Sequence, residues 1–178
     1  MEHRKTRKSF NEPNHAHELT FSVYKRRPFL LLPGVPEIFL DNLDNARKKL
    51  NFEIWAYVLM PTHVHILIRP ESELYVMSRI LHSVKSNATK DIFGRHPHLR
   101  EACLVGNKYQ FWQAGGGYDR NVTTIGTAQA SIRYIHANPV RAVLTETVGD
   151  WPWSSAGAYQ EHPIKTYIPV DLCRVGLD

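Results

Sequence analysis

Residues 52–70 read FEIWAYVLMPTHVHILIRP, and this stretch decides the fold. Residues 52–60 and 63–69 are rich in aromatic and β-branched side chains, which predicts two strands. Pro61 and Thr62 separate the two runs. These are the second and third strands of the pattern that predicts the fold.

The flanking sequence extends this pair into an alternating pattern of strands and helices. The predicted elements are a strand at 17–24, helices at 34–50 and 73–93, an irregular segment at 94–107, a strand at 108–113 and a helix at 123–138 that Pro139 ends. The order β-α-β-β-α-β predicts an α+β, ferredoxin-like antiparallel sheet with helices packed against it. A helix that carries Tyr134 and a C-terminal extension follow. We expect a basic arm at 1–16, one domain at 17–160 and a tail at 161–178.

Composition and charge narrow the classes of partner. The chain has 178 residues with 22 Lys and Arg against 17 Asp and Glu, a net charge of +5, which suits a polyanion without requiring one. Cys103 and Cys173 form no CxxC pair, which favours the cytosol. No apolar run is long enough for a membrane span, and no apolar segment follows the first charged residues. The predicted location is therefore cytoplasmic, with the nucleoid.

Two histidines stand out in the strand at 63–69. Side chains alternate along a strand, so His63, His65, Leu67 and Arg69 share one face, while the intervening valine and isoleucines form a core stripe. Two neutral imidazoles at alternate positions can hold one divalent metal ion. The same spacing also describes two half-exposed histidines without a ligand, so the pair alone leaves both interpretations open.

Tyr134 and Asn138 are four residues apart and project from one helical face. The Asn138 amide oxygen could be a third metal ligand, which would place the Tyr134 phenol one turn away from the metal. Tyr134 could equally be an ordinary residue at the edge of the core. Asn138 precedes Pro139, which disfavours helical geometry there. His136 points about 200° around the helix from Tyr134, so it is not expected to act as the general base.

Longer motifs resemble one family of enzymes. MPTHVHILI at 60–68 resembles the His-hydrophobic-His (HUH) motif of single-tyrosine transposases, and FWQAGGGYDRN at 111–121 is similar to the block that follows it there. YIHANPVRAVL at 134–144 and DWPWSSAGAY at 150–159 resemble the REP-associated branch of the IS200-like transposases. Two departures are the glycine-rich turn at 115–117, expected to loosen the strand end, and Arg120, where histidine is common.

This resemblance implies a fold, a reaction and a set of site residues. It implies an endonuclease that cuts single-stranded DNA beside an imperfect hairpin, forms a 5′-phosphotyrosine and uses Mg²⁺ or Mn²⁺. His63 and His65 would be metal ligands, Tyr134 the nucleophile and Asn138 the third ligand, where relatives often carry glutamine. The REP-associated branch is typically monomeric with its tyrosine acting in the same chain, whereas insertion-sequence relatives are dimers that can swap the tyrosine helix.

Basic and aromatic residues are the candidates for DNA contact, because single strands stack on aromatics and follow basic grooves. The basic candidates are Lys25, Arg26, Arg27, Arg69, Lys85, Arg120, Arg133 and Arg141, and the stacking candidates are Trp112 and Tyr118. The other three tryptophans, Trp55, Trp151 and Trp153, are expected in the core. A ferredoxin-like nucleic-acid-binding module is the main alternative, although it leaves the histidine pair without a role. A water-using phosphodiesterase would need more metal ligands than the sequence offers.

Overall fold

A four-stranded antiparallel sheet forms the centre of the molecule. The computed structural model describes residues 10–115 and 117–172. The elements are β1 (Ala16–Ser22), α1 (Val35–Leu50), β2 (Phe52–Leu59), β3 (His63–Pro70), α2 (Met77–Arg95), α3 (Pro97–Ala102), β4 (Leu104–Val105), β5 (Lys108–Tyr109), β6 (Tyr118–Val122) and α4 (Ile125–Arg141). The sheet order is β2-β3-β1-β6. This order confirms the predicted α+β, ferredoxin-like arrangement.

The sheet is covered on both faces, which explains why β2 and β3 are almost entirely buried. Helices α1 and α2 pack on one face, where Val64, Ile66 and Ile68 of β3 join the larger core cluster. Helix α4 packs on the other face, where Leu67 and Ile132 belong to a second cluster. The predicted alternation along β3 is therefore confirmed, and His65 lies on the face that α4 covers.

The fourth strand of the sheet differs from the prediction at 108–113. Residues 108–109 pair with 104–105 in a separate two-stranded hairpin, and the strand beside β1 is β6, after the glycine turn. Phe111 and Trp112 are buried in the core, and their backbone pairs with the chain after β1 only through an isolated antiparallel bridge between Val23 and Trp112. Their apolar character therefore reflects packing more than a full strand. Residues 97–102, predicted as irregular, form the short helix α3.

Helices α2 and α4 differ from their predicted bounds. Helix α2 begins at Met77 rather than 73, and Leu74 before it is 93% exposed. Helix α4 continues through Pro139 to Arg141. Proline lacks the N–H that would bond to the carbonyl of Ile135. The Asn138 side chain compensates, because its Nδ2 donates to that carbonyl at 3.3 Å and to the carbonyl of Tyr134 at 2.8 Å.

Residues 151–159, here called the C-terminal strap, run along the free edge of β2. Trp151 Nε1 donates to the carbonyl of Leu59 at 2.8 Å. Ser155 Oγ accepts from the backbone N–H of Tyr57 at 2.8 Å and lies 2.8 Å from His136 Nε2 of α4. The strap therefore closes the sheet edge and joins it to the helix that carries Tyr134.

The chain on either side of this domain is also attached to it. Phe10 N donates to Asn121 Oδ1 of β6 at 3.0 Å, and the backbone N–H of Asp171 donates to Ile54 O of β2 at 2.8 Å. Ile168, in the segment expected as a tail, is buried in the core. The basic cluster of the expected arm (Arg4, Lys5, Arg7 and Lys8), Gly116 and Cys173 lie outside the described residues. None of the helices within the described ranges is long and apolar enough to cross a membrane.

Candidate active site

The two histidines of β3 lie side by side at the beginning of the strand. Their ring centroids are 4.9 Å apart. Burial, with the neighbouring His63 as a second cause, lowers the pKa of His65 to about 3. Burial and the charge of nearby Arg26 also lower the pKa of His63. Both imidazoles are therefore neutral at pH 7, the state in which a ring nitrogen can bind a metal ion.

Hydrogen bonding leaves one nitrogen of His65 available. Its Nδ1 lies 2.8 Å from Thr20 Oγ1, whereas its Nε2 is buried without a hydrogen-bond partner among the described residues. His63 Nδ1 lies 3.0 Å from Thr62 Oγ1. A buried nitrogen without a partner is costly, and a bound ion removes that cost. A second hydrogen bond on the same ring also orients a metal ligand. The pair therefore fits a divalent metal ion.

Tyr134 lies against this pair from the opposite element. Its ring on α4 is perpendicular to that of His65, with centroids 5.8 Å apart. The side chain is 42% exposed, so the phenol can be reached from solvent. The guanidinium of Arg141, two turns later on α4, lies 5.2 Å from the centre of the Tyr134 ring. The sequence interpretation that placed Tyr134 close to the histidines thus agrees with the geometry.

Asn138 follows Tyr134 by one turn and is half-buried. Its Nδ2 donates to two backbone carbonyls, which fixes the orientation of the amide. The amide oxygen Oδ1 therefore points away from these two carbonyls. Within residues 10–115 and 117–172, no group of three or more His, Cys, Asp or Glu side chains is arranged to hold a metal ion. A third protein ligand would therefore be an amide or a hydroxyl, and the assignment to Asn138 stays a prediction.

An open cleft of about 520 Å³ joins Tyr134 and His65 to two residues of β1 that sequence analysis missed, Glu18 and Thr20. Tyr118 and Arg120 of β6, both predicted DNA contacts, line it as well. The Glu18 carboxylate is buried and accepts hydrogen bonds from Arg120 at 2.5 Å and from Ser131 Oγ at 2.7 Å. The sequence signal that could have found Glu18 and Thr20 is their alternation with the apolar residues of β1, which places both on its polar face. That signal does not give their neighbours, because only the register of β1 with β3 places Thr20 beside His65.

Gly117, directly before β6, is closely packed, contrary to the expectation that it would loosen the strand end. Gly117 has φ +70°, and a Cβ placed there would lie 2.2 Å from the carbonyl oxygen of Thr20. Only glycine fits such a position without displacing the backbone. The close approach of Gly117 to Thr20 thus places the start of β6 beside the strand residue that contacts His65.

The predicted DNA-contact residues fall into two groups. One group is exposed or half-buried: Lys25, Arg26, Arg27, Tyr118, Arg120, Arg133 and Arg141. Of these, Tyr118 and Arg120 line the cleft, and Arg141 lies over the Tyr134 ring. Arg27 of the same group bonds to the carbonyl of Ala102, away from the cleft. His136, as expected, points away from the cleft and contacts the C-terminal strap.

Two predicted DNA contacts need correction because their side chains are buried. Arg69 donates from Nε to Glu53 Oε2 at 2.8 Å in a buried ion pair, and Trp55 Nε1 donates to the same oxygen at 2.9 Å. Trp112 is 8% exposed, and its ring packs edge-on against Phe21 at 5.0 Å. Arg69 is therefore held by Glu53 rather than by a phosphate, and Trp112 exposes too little of its ring for a base to stack on it. Trp55 is buried, while Trp151 and Trp153 pack against the core as expected.

Comparison with known proteins identifies the family. The model of the IS200-like transposases matches residues 12–138, which span β1, both histidines, Tyr134 and Asn138. The chain belongs to the IS200-like transposase family. No curated protein sequence matches the chain.

Solved structures support the same fold for this IS200-like transposase. It is similar to a REP-associated tyrosine transposase bound to a REP hairpin, with a TM-score of 0.67 and 17% identity over 95% of this chain and 93% of the other. It is also similar to a candidate transposase from Deinococcus radiodurans R1, with a TM-score of 0.51 and 20% identity over 74% of this chain and 93% of the other. The first match extends beyond residue 138, so it includes most of the C-terminal segment as well.

Proposed function

We propose that this IS200-like transposase cleaves single-stranded DNA beside a hairpin and rejoins it through a 5′-phosphotyrosine on Tyr134. The observation that carries the proposal is the ring contact between Tyr134 and His65 inside an open cleft. The hairpin substrate is supported by the REP hairpin bound to the similar REP-associated transposase. The net charge of +5 suits a polyanionic substrate.

In the first step the Tyr134 phenol oxygen attacks the scissile phosphorus. The phosphorus–oxygen bond to the 3′ oxygen breaks, and that oxygen leaves as a free 3′-hydroxyl after taking up a proton. The phenol proton passes to solvent, because Glu18, the carboxylate that lines the cleft, is bonded to Arg120 and Ser131. Rejoining runs in reverse: a 3′-hydroxyl attacks the phosphorus and forms the new phosphorus–oxygen bond, and the bond to Tyr134 breaks as the phenol leaves.

His63 and His65 would hold the divalent metal, Mg²⁺ or Mn²⁺, with Asn138 Oδ1 as the third protein ligand. A metal bound there would supply positive charge that stabilises the negative charge of the phosphate. The chain contributes further positive charge on its own account. Arg141 lies over the Tyr134 ring and Arg120 lines the cleft, where each would contact a phosphate oxygen.

The remaining proposed DNA contacts surround this centre. Tyr118 lines the cleft as a stacking surface. Lys25, Arg26 and Arg27 come directly after β1, and Arg133 is exposed on α4 next to Tyr134. These cations would follow the phosphate backbone on either side of the scissile bond.

Tyr134 acts in its own chain under this proposal. Helix α4 is attached to its own sheet through the second core cluster and through the contact of His136 with the strap. A monomer is therefore a complete catalytic unit, although a dimer remains compatible with the site.

Labelled hairpin oligonucleotides from the source genome test the proposal. With a label on the 3′ end, wild-type protein and Mg²⁺ or Mn²⁺ should give a covalent adduct on a denaturing gel. A 5′ label should instead show a shortened strand that a polymerase can extend. Tyr134→Phe removes one oxygen and keeps the ring, so it should abolish the adduct while DNA binding and folding persist.

Tyr118→Phe identifies the nucleophile, because Tyr118 carries the other phenol that lines the cleft. The adduct should still form with this variant. An adduct that survives Tyr134→Phe but disappears with Tyr118→Phe would show that Tyr118, and not Tyr134, is the nucleophile. If wild-type protein binds the hairpins and never forms an adduct, the chain is a ferredoxin-like nucleic-acid-binding module instead.

A further inference from the structure

A second open groove lies on the other side of the sheet from Tyr134, along one face of α2. Its volume is about 580 Å³, comparable with the cleft at Tyr134. The residues that line it are Ser78, Leu81, His82, Lys85, Ser86, Thr89 and Lys90 of α2, with Tyr109, Gln110, Phe111, Trp112 and Gly115 opposite. We call it the α2 groove. Its α2 residues recur at spacings of three and four, which places them on one helical face.

The rim of the α2 groove is basic and hydroxylated. Lys85 and Lys90 supply cations, two serines and a threonine supply hydroxyl groups, and none of the lining residues is acidic. This face of α2 is distinct from the apolar stripe that enters the core. Positive charge together with hydroxyl donors is the side-chain composition that binds phosphate oxygens.

The opposite wall supplies aromatic surface. Tyr109 is 47% exposed, and its ring is held at one edge by Phe93 at 6.2 Å between ring centroids. The guanidinium of Arg100 lies 4.3 Å from the centre of the Tyr109 ring. The floor is rigid because Trp112 Nε1 donates to the backbone carbonyl of Lys85 at 3.1 Å. An exposed, fixed ring beside cations is a stacking surface for unpaired bases.

One short segment joins the α2 groove to the catalytic cleft. Trp112 lines the groove, Tyr118 lines the cleft, and the backbone N–H of Gln113 between them donates to Ser22 O at 2.8 Å. Six residues span at most about 20 Å, roughly the length of six nucleotides at the ~3.4 Å rise of a duplex strand. A single DNA strand could therefore contact both.

We propose that the α2 groove binds the single-stranded DNA that flanks the cleavage site, as a second site separate from the catalytic cleft. The inference rests on the proposed function, since it takes DNA as the substrate. The basic rim selects a polyanion, and the exposed Tyr109 ring selects a strand whose bases are unpaired. The flank stacks on Tyr109 while Lys85 and Lys90 contact its phosphates.

Binding measurements in a Tyr134→Phe background test this without interference from cleavage. The probe is a fluorescent oligothymidine of about 18 nucleotides, long enough to span both sites at the ~3.4 Å rise used above. Lys85→Gln combined with Lys90→Gln should weaken binding about tenfold and reduce the slope of log K against log salt by about 1.4. Tyr109→Ala should weaken binding about tenfold, and Tyr109→Phe should restore it. Lys165→Gln, which lines neither the groove nor the cleft, is the matched charge control.

Photocrosslinking gives a second measurement that does not depend on these substitutions. An oligothymidine carrying 5-iodouracil should crosslink to the peptide that contains Tyr109, in addition to peptides of the cleft. Crosslinks confined to the cleft, or unchanged affinity and salt slope in all groove variants, overturn the inference. If the wild-type protein still forms an adduct with the hairpin oligonucleotides in that case, the proposed function stands. If it forms no adduct with them, the proposed function fails as well.

Discussion

His136→Gln should make the protein less sensitive to acid. His136 is 5% exposed, and burial lowers its pKa from 6.5 to about 4. Because Ser155 Oγ donates to the carbonyl of Tyr57 at 3.2 Å, we assign the hydrogen of the neutral His136 ring to Nε2, which then donates to Ser155 Oγ at 2.8 Å. The neutral imidazole makes this hydrogen bond. The side-chain amide of glutamine is long enough to donate an N–H to Ser155 Oγ in its place, and it does not titrate.

The sign and the size of the effect follow from linkage. As pH falls below 6.5, the unfolded chain binds a proton at His136 and the folded chain does not, so stability decreases with falling pH. The loss continues until about pH 4, where the folded protein also becomes protonated. The separation of the two values corresponds to about 3 kcal/mol, at ~1.36 kcal/mol per pH unit.

Urea denaturation at pH values between about 4 and 7.5 measures this difference. Between those limits the free energy of unfolding of wild type should fall more steeply than that of His136→Gln, by up to about 1.4 kcal/mol per pH unit. His65 is also buried with a lowered pKa, but it is present in both proteins and cancels. His162→Gln, at an exposed histidine, controls for the loss of a histidine elsewhere. Parallel curves for wild type and His136→Gln would refute the reasoning.

Two further sets of variants test packing near the site. Gly117→Ala should lower the free energy of unfolding by at least about 2 kcal/mol, because its Cβ would meet the Thr20 carbonyl at a positive φ. Gly126→Ala in α4 should raise it by about 0.5–1 kcal/mol, since nothing lies within 4 Å of the added Cβ; thermal melts that rank the two glycines the other way would contradict this. Arg69→Gln should cost about 3 kcal/mol by removing the only cation in the Arg69–Glu53 ion pair and leaving a buried carboxylate charge uncompensated, while the salt slope of DNA binding stays that of wild type. A reduced slope would show that Arg69 does contact phosphate.

The histidine pair and the tyrosine could be predicted because each depends on local periodicity. Strand alternation alone places His63 and His65 together, and the helical repeat places Asn138 one turn after Tyr134. The contact between the two elements depends on how α4 crosses the sheet, which no local pattern specifies. The family resemblance supplied that step, and the contact between the rings of Tyr134 and His65 agrees with it.

Other parts of the site depend on the register between strands and on which side chains are buried, and neither can be predicted from local sequence patterns. Thr20 contacts His65 only because β1 pairs with β3 in that register. The strand Tyr118–Val122 is polar on both faces, so its pattern gave no sign of a strand. Phe111 and Trp112 gave the opposite error, because apolar residues that fill a core resemble a strand when only their composition is considered.

The C-terminal strap has a consequence for how the enzyme can be shortened or fused. The matched family region ends at residue 138, and a protein cut soon after α4 would look complete by that criterion. Such a chain would lose Trp151 and Ser155, uncover the edge of β2 and release α4 from its attachment through His136. An uncovered edge and a loosely held helix favour exchange between two copies, so we expect the truncated protein to dimerise by exchanging α4.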